Sequence, residues 1–303
     1  MKALRLLRPL LLGSAVLAVA GQVLAAEPLK LEVYNPGAKS IFPVSAQIVS
    51  GPTEAVLIDA QFQRDDAQAL VEKVRATGNK LTTVYISHSD PDYYFGLDVI
   101  HRAFPDAKIV ATAETVAAIE ASKDGKLAHW GPIMEGNAPA ALVVPEALKA
   151  PKLIVDGQVL EIRGPEPART FVWITSLKTV VGGIPVSANI HVWMADTQTV
   201  QSRRDWLATL AAIEALKPSR VVPGHYLANA DGSLPDSPQT VAATREYLQA
   251  FEEEAGKAKD SAQLITAMRK RYPNLADESS LELSAQVIKG EVKWPQRASS
   301  WQR

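Results

Sequence analysis

An α/β fold is predicted by three signals and the order in which they occur. Short apolar runs rich in β-branched residues, at 54–60, 81–86 and 108–112, are each followed by a stretch with helical spacing, the pattern of a sheet joined by crossover helices. The second run delivers Ser87-His88-Ser89-Asp90-Pro91-Asp92-Tyr93-Tyr94-Phe95-Gly96, a titratable loop at a strand end, where ligands gather in α/β sheets. Further short runs at 152–155, 158–162, 170–174 and 178–181 read as paired strands, the first two joined by Asp156-Gly157, a dipeptide that favours a two-residue hairpin.

Taken in order, the first element is an export segment. Lys2, Arg5 and Arg8 precede a charge-free apolar run that closes on Val23-Leu24-Ala25-Ala26, with small residues where a signal peptidase reads them. Residues 1–25 are expected to be a signal peptide; the alternative is an uncleaved anchor, because the apolar length lies near the lower limit for a span. Removing the three basic residues takes the formal net charge from −1 to −4, which leaves no basic footprint for nucleic acid. Cysteine is absent, so disulfides, thiolate ligands, thiol nucleophiles and lipid attachment at the signal are excluded. With 47% hydrophobic residues in 303 the chain can build a substantial core. No second long apolar run follows, so the mature protein is expected to be soluble and free of the membrane in an extracytoplasmic compartment, most simply the bacterial periplasm.

Residues 29–34 and 45–50 have β character, and Gly51-Pro52 turns the chain into the buried strand 54–60. Ala67, Leu70, Val71 and Val74 place a helix over 64–77, and helices are also expected over 98–104 and 113–122. Residues 124–150, rich in Gly, Pro and Ala, are expected to be irregular, as a functional lid or a disordered insertion. Within them Trp130 reads as an apolar pocket wall or as a buried loop anchor, and His129 as a surface or internally satisfied histidine rather than a ligand. The helix 202–216 carries the stripe Trp206, Leu210, Ile213, starts on a Ser202/Asp205 capping pattern and stops at Pro218. Residues 232–237 read as a linker, and helices at 238–258, 261–272 and 279–289 form a C-terminal extension whose apolar stripes are expected to pack on the core or on each other.

His88, Asp90 and Asp92 stand at alternate positions of the strand-end loop, so their side chains can converge on one cation. In order and setting this loop resembles that of the metallo-β-lactamase superfamily, His-x-His-x-Asp-His with a downstream Gly. His88 matches the first His and Asp92 the Asp, while Asp90 and Tyr93 stand at the second and last His positions. Pro223-Gly224-His225 is similar to the family's final metal-ligand motif. Two further family positions carry Pro165 and Ile184, which have no metal-binding side chain. Asp59, after its strand, reads as a support for the loop or as a plain turn residue. His191 and Asp196, the next titratable groups, read as pocket lining, as replacement ligands or as packing.

The resemblance covers about residues 29–230. It implies a four-layer αββα metallo-β-lactamase-like sandwich over residues 26–235, with residues 236–303 as a C-terminal helical extension packed on the core. It implies a metal-dependent hydrolase in which one divalent ion, zinc by preference with Mn, Fe or Mg as alternatives, is held by His88, Asp90, Asp92 and His225. That ion would activate water toward an ester, lactone, amide or phosphate bond of a small-molecule substrate. Asp92 would also orient the water, and Tyr93 and Tyr94 would donate to an oxyanion or pack as aromatics. The alternative is a non-catalytic periplasmic binding or scaffold protein that has lost part of the metal site. Oligomeric state has no signature in the sequence.

Overall fold

A computed structural model describes residues 27–294; the expected signal peptide and residues 295–303 lie outside the described residues. β1 (Lys30–Tyr34), β2 (Ala46–Ser50) and β3 (Glu54–Ile58) form an antiparallel meander. α1 (Arg64–Ala76) then crosses to β4 (Lys80–Ile86), α2 (Pro91–Tyr94) and α3 (Leu97–Ala103) lead to β5 (Lys108–Ala111), and α4 (Ala113–Met134) precedes β6 (Glu146–Ala147). These strands make one sheet in the order β1-β2-β3-β4-β5-β6, parallel from β3 onward, as crossover helices require.

The second half supplies β7 (Lys152–Val155), β8 (Gln158–Arg163), β9 (Phe171–Ile174), β10 (Thr179–Val181), β11 (Ser187–Ala188), α5 (Val200–Ala215), β12 (Arg220–Val221) and β13 (His225–Tyr226). Its sheet runs β12-β10-β9-β8-β7, and β11 pairs with β13 beside it. Asp156 and Gly157 take φ of 44° and 78°, the left-handed pair a type I′ hairpin needs. The Asp156 carboxylate also accepts the backbone N–H groups of Thr53 and Glu54, tying this hairpin to the turn before β3. α6 (Gln239–Lys257), α7 (Ser261–Arg271) and α8 (Glu278–Ile288) complete the chain.

Strand alternation sorts the core into layers. In β3, Ala55 and Leu57 join the apolar layer of α1 and α3, while Val56 and Ile58 join a layer shared with the other sheet. In β9, Val172 and Ile174 enter that shared layer, and Phe171 and Trp173 turn outward onto α5 and α6. Helix, sheet, sheet and helix are thus stacked in four layers. The stripes expected on the C-terminal helices, among them Val241, Phe251, Leu264, Met268 and Leu281, lie in the same cluster as Phe171, Trp173 and Trp206, so the extension packs on the second sheet.

Two local expectations are corrected. α4 does not stop near Ser122 but runs unbroken to Met134, taking up the first part of the segment expected to be irregular. Val116, Leu127 and Trp130 pack along it onto the first core layer, and this offsets the helix penalty of Gly125 and Gly131, about 1 kcal/mol each. Pro132 sits in the last turn, where its missing N–H removes a single backbone bond. The capping box of α5 lies one turn earlier than expected: Thr199 Oγ1 accepts from the Ser202 N–H at 3.0 Å, and the Ser202 hydroxyl accepts from the Thr199 N–H at 3.2 Å.

Candidate functional site

The site is assembled where β3 and β4 end and β13 begins. Asp59 leaves β3 with φ 64° and is fully buried; its carboxylate accepts the Ser87 N–H and the Ser87 hydroxyl, both at 2.8 Å. Burial pushes this carboxyl up to about 7, against the lowering effect of the bonds from Ser87 and Gly183. Of the two readings of Asp59, the support role is the one the contacts match. The loop is held further by Ala60 N–H on the Tyr93 carbonyl at 2.8 Å and Gly96 N–H on the Gln61 carbonyl at 3.0 Å.

His225 arrives through Pro223-Gly224. Gly224 packs so closely on Gly183 that an added Cβ would run into the Gly183 carbonyl oxygen, so glycine is required there. Ser45 donates to the Gly224 carbonyl at 2.8 Å and Gly224 to that of Val186 at 2.9 Å, which fixes where the imidazole emerges. His225 Nε2 lies 2.6 Å from Asp92 Oδ2, and Nδ1 lies 3.1 Å from the Tyr93 hydroxyl. Burial works against a charged imidazole, but the hydrogen bond and charge of Asp92, with Asp277 and Asp90 farther off, outweigh it and raise the His225 pKa. Burial, together with the charges of Asp92, Asp59 and Asp90, holds the Tyr93 hydroxyl well above its ordinary value, so it remains a neutral hydroxyl.

His88 and Asp90 form a second pair. His88 Nδ1 accepts the Asp90 N–H at 3.2 Å and lies 3.2 Å from Asp90 Oδ2. The other oxygen, Asp90 Oδ1, takes the Lys126 ammonium at 3.0 Å, and the same ammonium donates to the Ser89 carbonyl at 2.8 Å. Lys126 comes from the part of α4 that was expected to be irregular. Its signal in the sequence is the long run of good helix formers after residue 113. Arg169 has no local signal in the sequence; its guanidinium lies 4.8 Å over the Trp206 ring and donates to Thr197 Oγ1 at 3.1 Å.

A metal centre needs three or more donors aimed at one point. Among the described residues no group of three or more His, Asp or Glu side chains is arranged to hold a metal ion. His88, Asp90, Asp92 and His225 instead form two pairs, with a lysine ammonium on one of them. As placed, they do not fit the single divalent ion expected of them. Pro165 and Ile184 offer no compensating donor; Ile184 lines the cavity wall.

Beside these pairs lies a cavity of about 370 Å³. Asp90, Asp92, Lys126 and His225 line one part of it, and Trp130, Trp193, Trp206 and Trp294 give it an aromatic wall. Trp130, His191 and Asp196 all border it. Trp130 also packs its ring at 5.1 Å from Phe42 and 5.6 Å from Phe62, so it is both wall and anchor. Asp196 accepts the indole N–H of Trp193 at 2.6 Å and of Trp294 at 3.0 Å, a clamp on two wall residues. His191 is fully buried with Nδ1 3.0 Å from the Tyr247 hydroxyl, and burial lowers its pKa, as for a packed neutral imidazole. Tyr94 is corrected: it is buried in the first core layer, edge-on to Phe95, and does not border the cavity. Nor does Tyr93, whose hydroxyl is turned to His225.

Two facing sheets, helices on both outer sides and a His/Asp loop at their common edge define the class of αββα metallo-hydrolase folds. The chain belongs to the metallo-beta-lactamase superfamily, whose sequence model matches residues 41–225. The fold is similar to that of a beta-lactamase domain protein from Burkholderia ambifaria, with TM-score 0.60 and 14% identity over 86% of this chain and 84% of that one. A metallo-beta-lactamase family protein from Thermus thermophilus gives TM-score 0.57 at 14% identity, over 86% and 91%. A metallo-beta-lactamase from Pontibacter korlensis gives 0.52 at 18%, over 74% and 96%. At such identities the likeness is one of fold. No curated protein matches the sequence.

Proposed function

We propose that the chain is a hydrolase acting on a small, largely apolar ester, lactone, amide or phosphate, with the Asp92–His225 pair doing the acid–base work at the edge of the aromatic cavity. The observation that carries this reading is the 2.6 Å contact between Asp92 and His225, partly buried and bordering a cavity whose lining includes four tryptophans. The superfamily typically holds divalent metal ions; with the donors paired off, the steps written here use only the chain's own groups. Asp92 accepts a proton from water, the resulting hydroxide attacks the substrate's carbonyl carbon or phosphorus, and the proton is returned to the leaving group as the scissile bond breaks. Tyr93, expected to donate to an oxyanion, positions His225 instead through its hydroxyl.

Asp92→Asn and His225→Gln should each lower turnover of the responsive substrate class by roughly 10²–10⁴-fold with the circular dichroism spectrum unchanged. Wild-type protein that turns over no ester, lactone, amide or phosphate would reject the hydrolase. The second reading, a binding protein without catalysis, is favoured by the partner each loop carboxylate already has: His88 and Lys126 for Asp90, His225 for Asp92. It predicts saturable quenching of tryptophan fluorescence by a ligand that is recovered unchanged.

The proposed setting is the bacterial periplasm. It rests on the N-terminal sequence pattern; among the described residues no helix is long and apolar enough to cross a membrane. N-terminal sequencing of protein from the periplasmic fraction should begin at or next to Ala26, and an intact Met1 on membrane-bound protein would reject cleavage.

A further inference from the structure

We propose that Lys126 is a built-in cation that takes the place of a metal ion at this site, neutralising Asp90 and presenting its ammonium to the cavity. A carboxylate on a side chain only 11% exposed is costly unless it is paired. Where the family motif has a neutral histidine, this chain has Asp90, which adds a negative charge beside Asp92. α4 answers it: extended through Gly125, it carries Lys126 over the loop, so that Nζ meets Asp90 Oδ1 at 3.0 Å and the Ser89 carbonyl at 2.8 Å. Both acceptors belong to the His88–Asp92 loop, and Lys126 is the one lysine or arginine among the described residues lining the cavity.

A divalent ion drawn to Asp90 would meet the ammonium already on that carboxylate, and two like charges within a few ångströms repel strongly in a partly buried site. The ammonium, tethered to a helix, supplies positive charge without a second filled ligand sphere. Its natural counterpart in a ligand is an anionic group, a carboxylate or phosphate. The inference concerns cation occupancy, and its test reads metal affinity, so it stands or falls separately from whether the site turns over a substrate.

Zinc titration by calorimetry, with elemental analysis after dialysis, tests it on the wild type, on Lys126→Met, Lys126→Gln and Lys126→Arg, and on Lys126→Met combined with Asp90→Asn. Lys126→Met, which keeps the stem and removes the charge, should bind zinc at least about 10-fold more tightly than the wild type, and Lys126→Arg should behave as the wild type does. Adding Asp90→Asn to Lys126→Met should abolish the gained zinc affinity, because Asp90 is the carboxylate that Lys126 occupies in the wild type. The proposal is overturned if the wild type binds one equivalent of zinc as tightly as Lys126→Met, or if the double variant keeps the gained affinity. Lys126→Gln, which removes the charge and keeps a hydrogen-bond donor for Asp90, decides the matter where Lys126→Met fails to fold.

Discussion

Asp59 touches Ser87 and not the cavity, yet it is the fully buried acid beneath the loop, with its pKa pushed up to about 7 mainly by burial. Its folded pKa lies above the unfolded value of 3.8, so the stability it contributes is fully present below about pH 4 and is lost as pH rises through about 7. The shift corresponds to at most about 4 kcal/mol. Asn at this position can still accept the Ser87 N–H and can donate to the Ser87 hydroxyl without ever ionising. Denaturant unfolding at pH 5 and pH 8 should therefore show Asp59→Asn gaining stability relative to the wild type at the higher pH. A constant difference between the two proteins would mean that Asp59 is ionised throughout. The same paired arrangement explains why the loop's charges are tolerated: each has a partner within hydrogen-bond reach, so none has to be neutralised by solvent.

Two helices show how an element is decided by its ends and its packing rather than by composition. In α5 the hydroxyls of Thr199 and Ser202 satisfy each other's N–H groups, so the helix begins before the Ser202/Asp205 pattern. Thr199→Ala should lower stability by about 1 kcal/mol, read as a shift of the denaturation midpoint, while Asp205→Ala should change it by less than half of that. Asp205 contributes only an exposed bond with Gln201 at 2.8 Å. In α4 the consequence is functional. Had the helix ended near Ser122, Lys126 would not reach Asp90 and Trp130 would not stand against Phe42 and Phe62.

At the scale of the molecule the C-terminal helices are part of the body of the protein. Val241, Tyr247, Leu248 and Phe251 of α6, with Leu264, Met268 and Leu281, share one buried cluster with Trp173 of β9 and Val180 of β10. Fully burying a side chain of this size is worth about 1.5–3 kcal/mol, so the cluster far exceeds the margin of a typical fold. A chain cut after residue 235 should be insoluble or bind hydrophobic dyes, whereas the full chain should not; a soluble, cooperatively melting truncation would show that the extension is dispensable. α8 and the segment that follows it also reach the site, since Ser280 and Trp294 border the cavity.

What the sequence determined by itself is the part that rests on short-range physics: strand period, helical stripes, the Asp156-Gly157 hairpin, and a His/Asp loop placed at a strand end. Each depends on residues near one another in the chain, and each is found in the structure within a residue or two, except that α4 runs on past its expected end to Met134. The family, too, was legible, because its motif is a local spacing. The pairing of the site's charges was not. Whether His88, Asp90, Asp92 and His225 face one ion or pair off depends on Lys126, 36 residues beyond Asp90, and on the contact of His225 with Asp92 across 133 residues. Likewise Tyr93 and Tyr94, adjacent to the motif, were turned away from the cavity by burial that no local pattern records. Electrostatic partners are chosen by distance in space, and only the tertiary structure sets those distances.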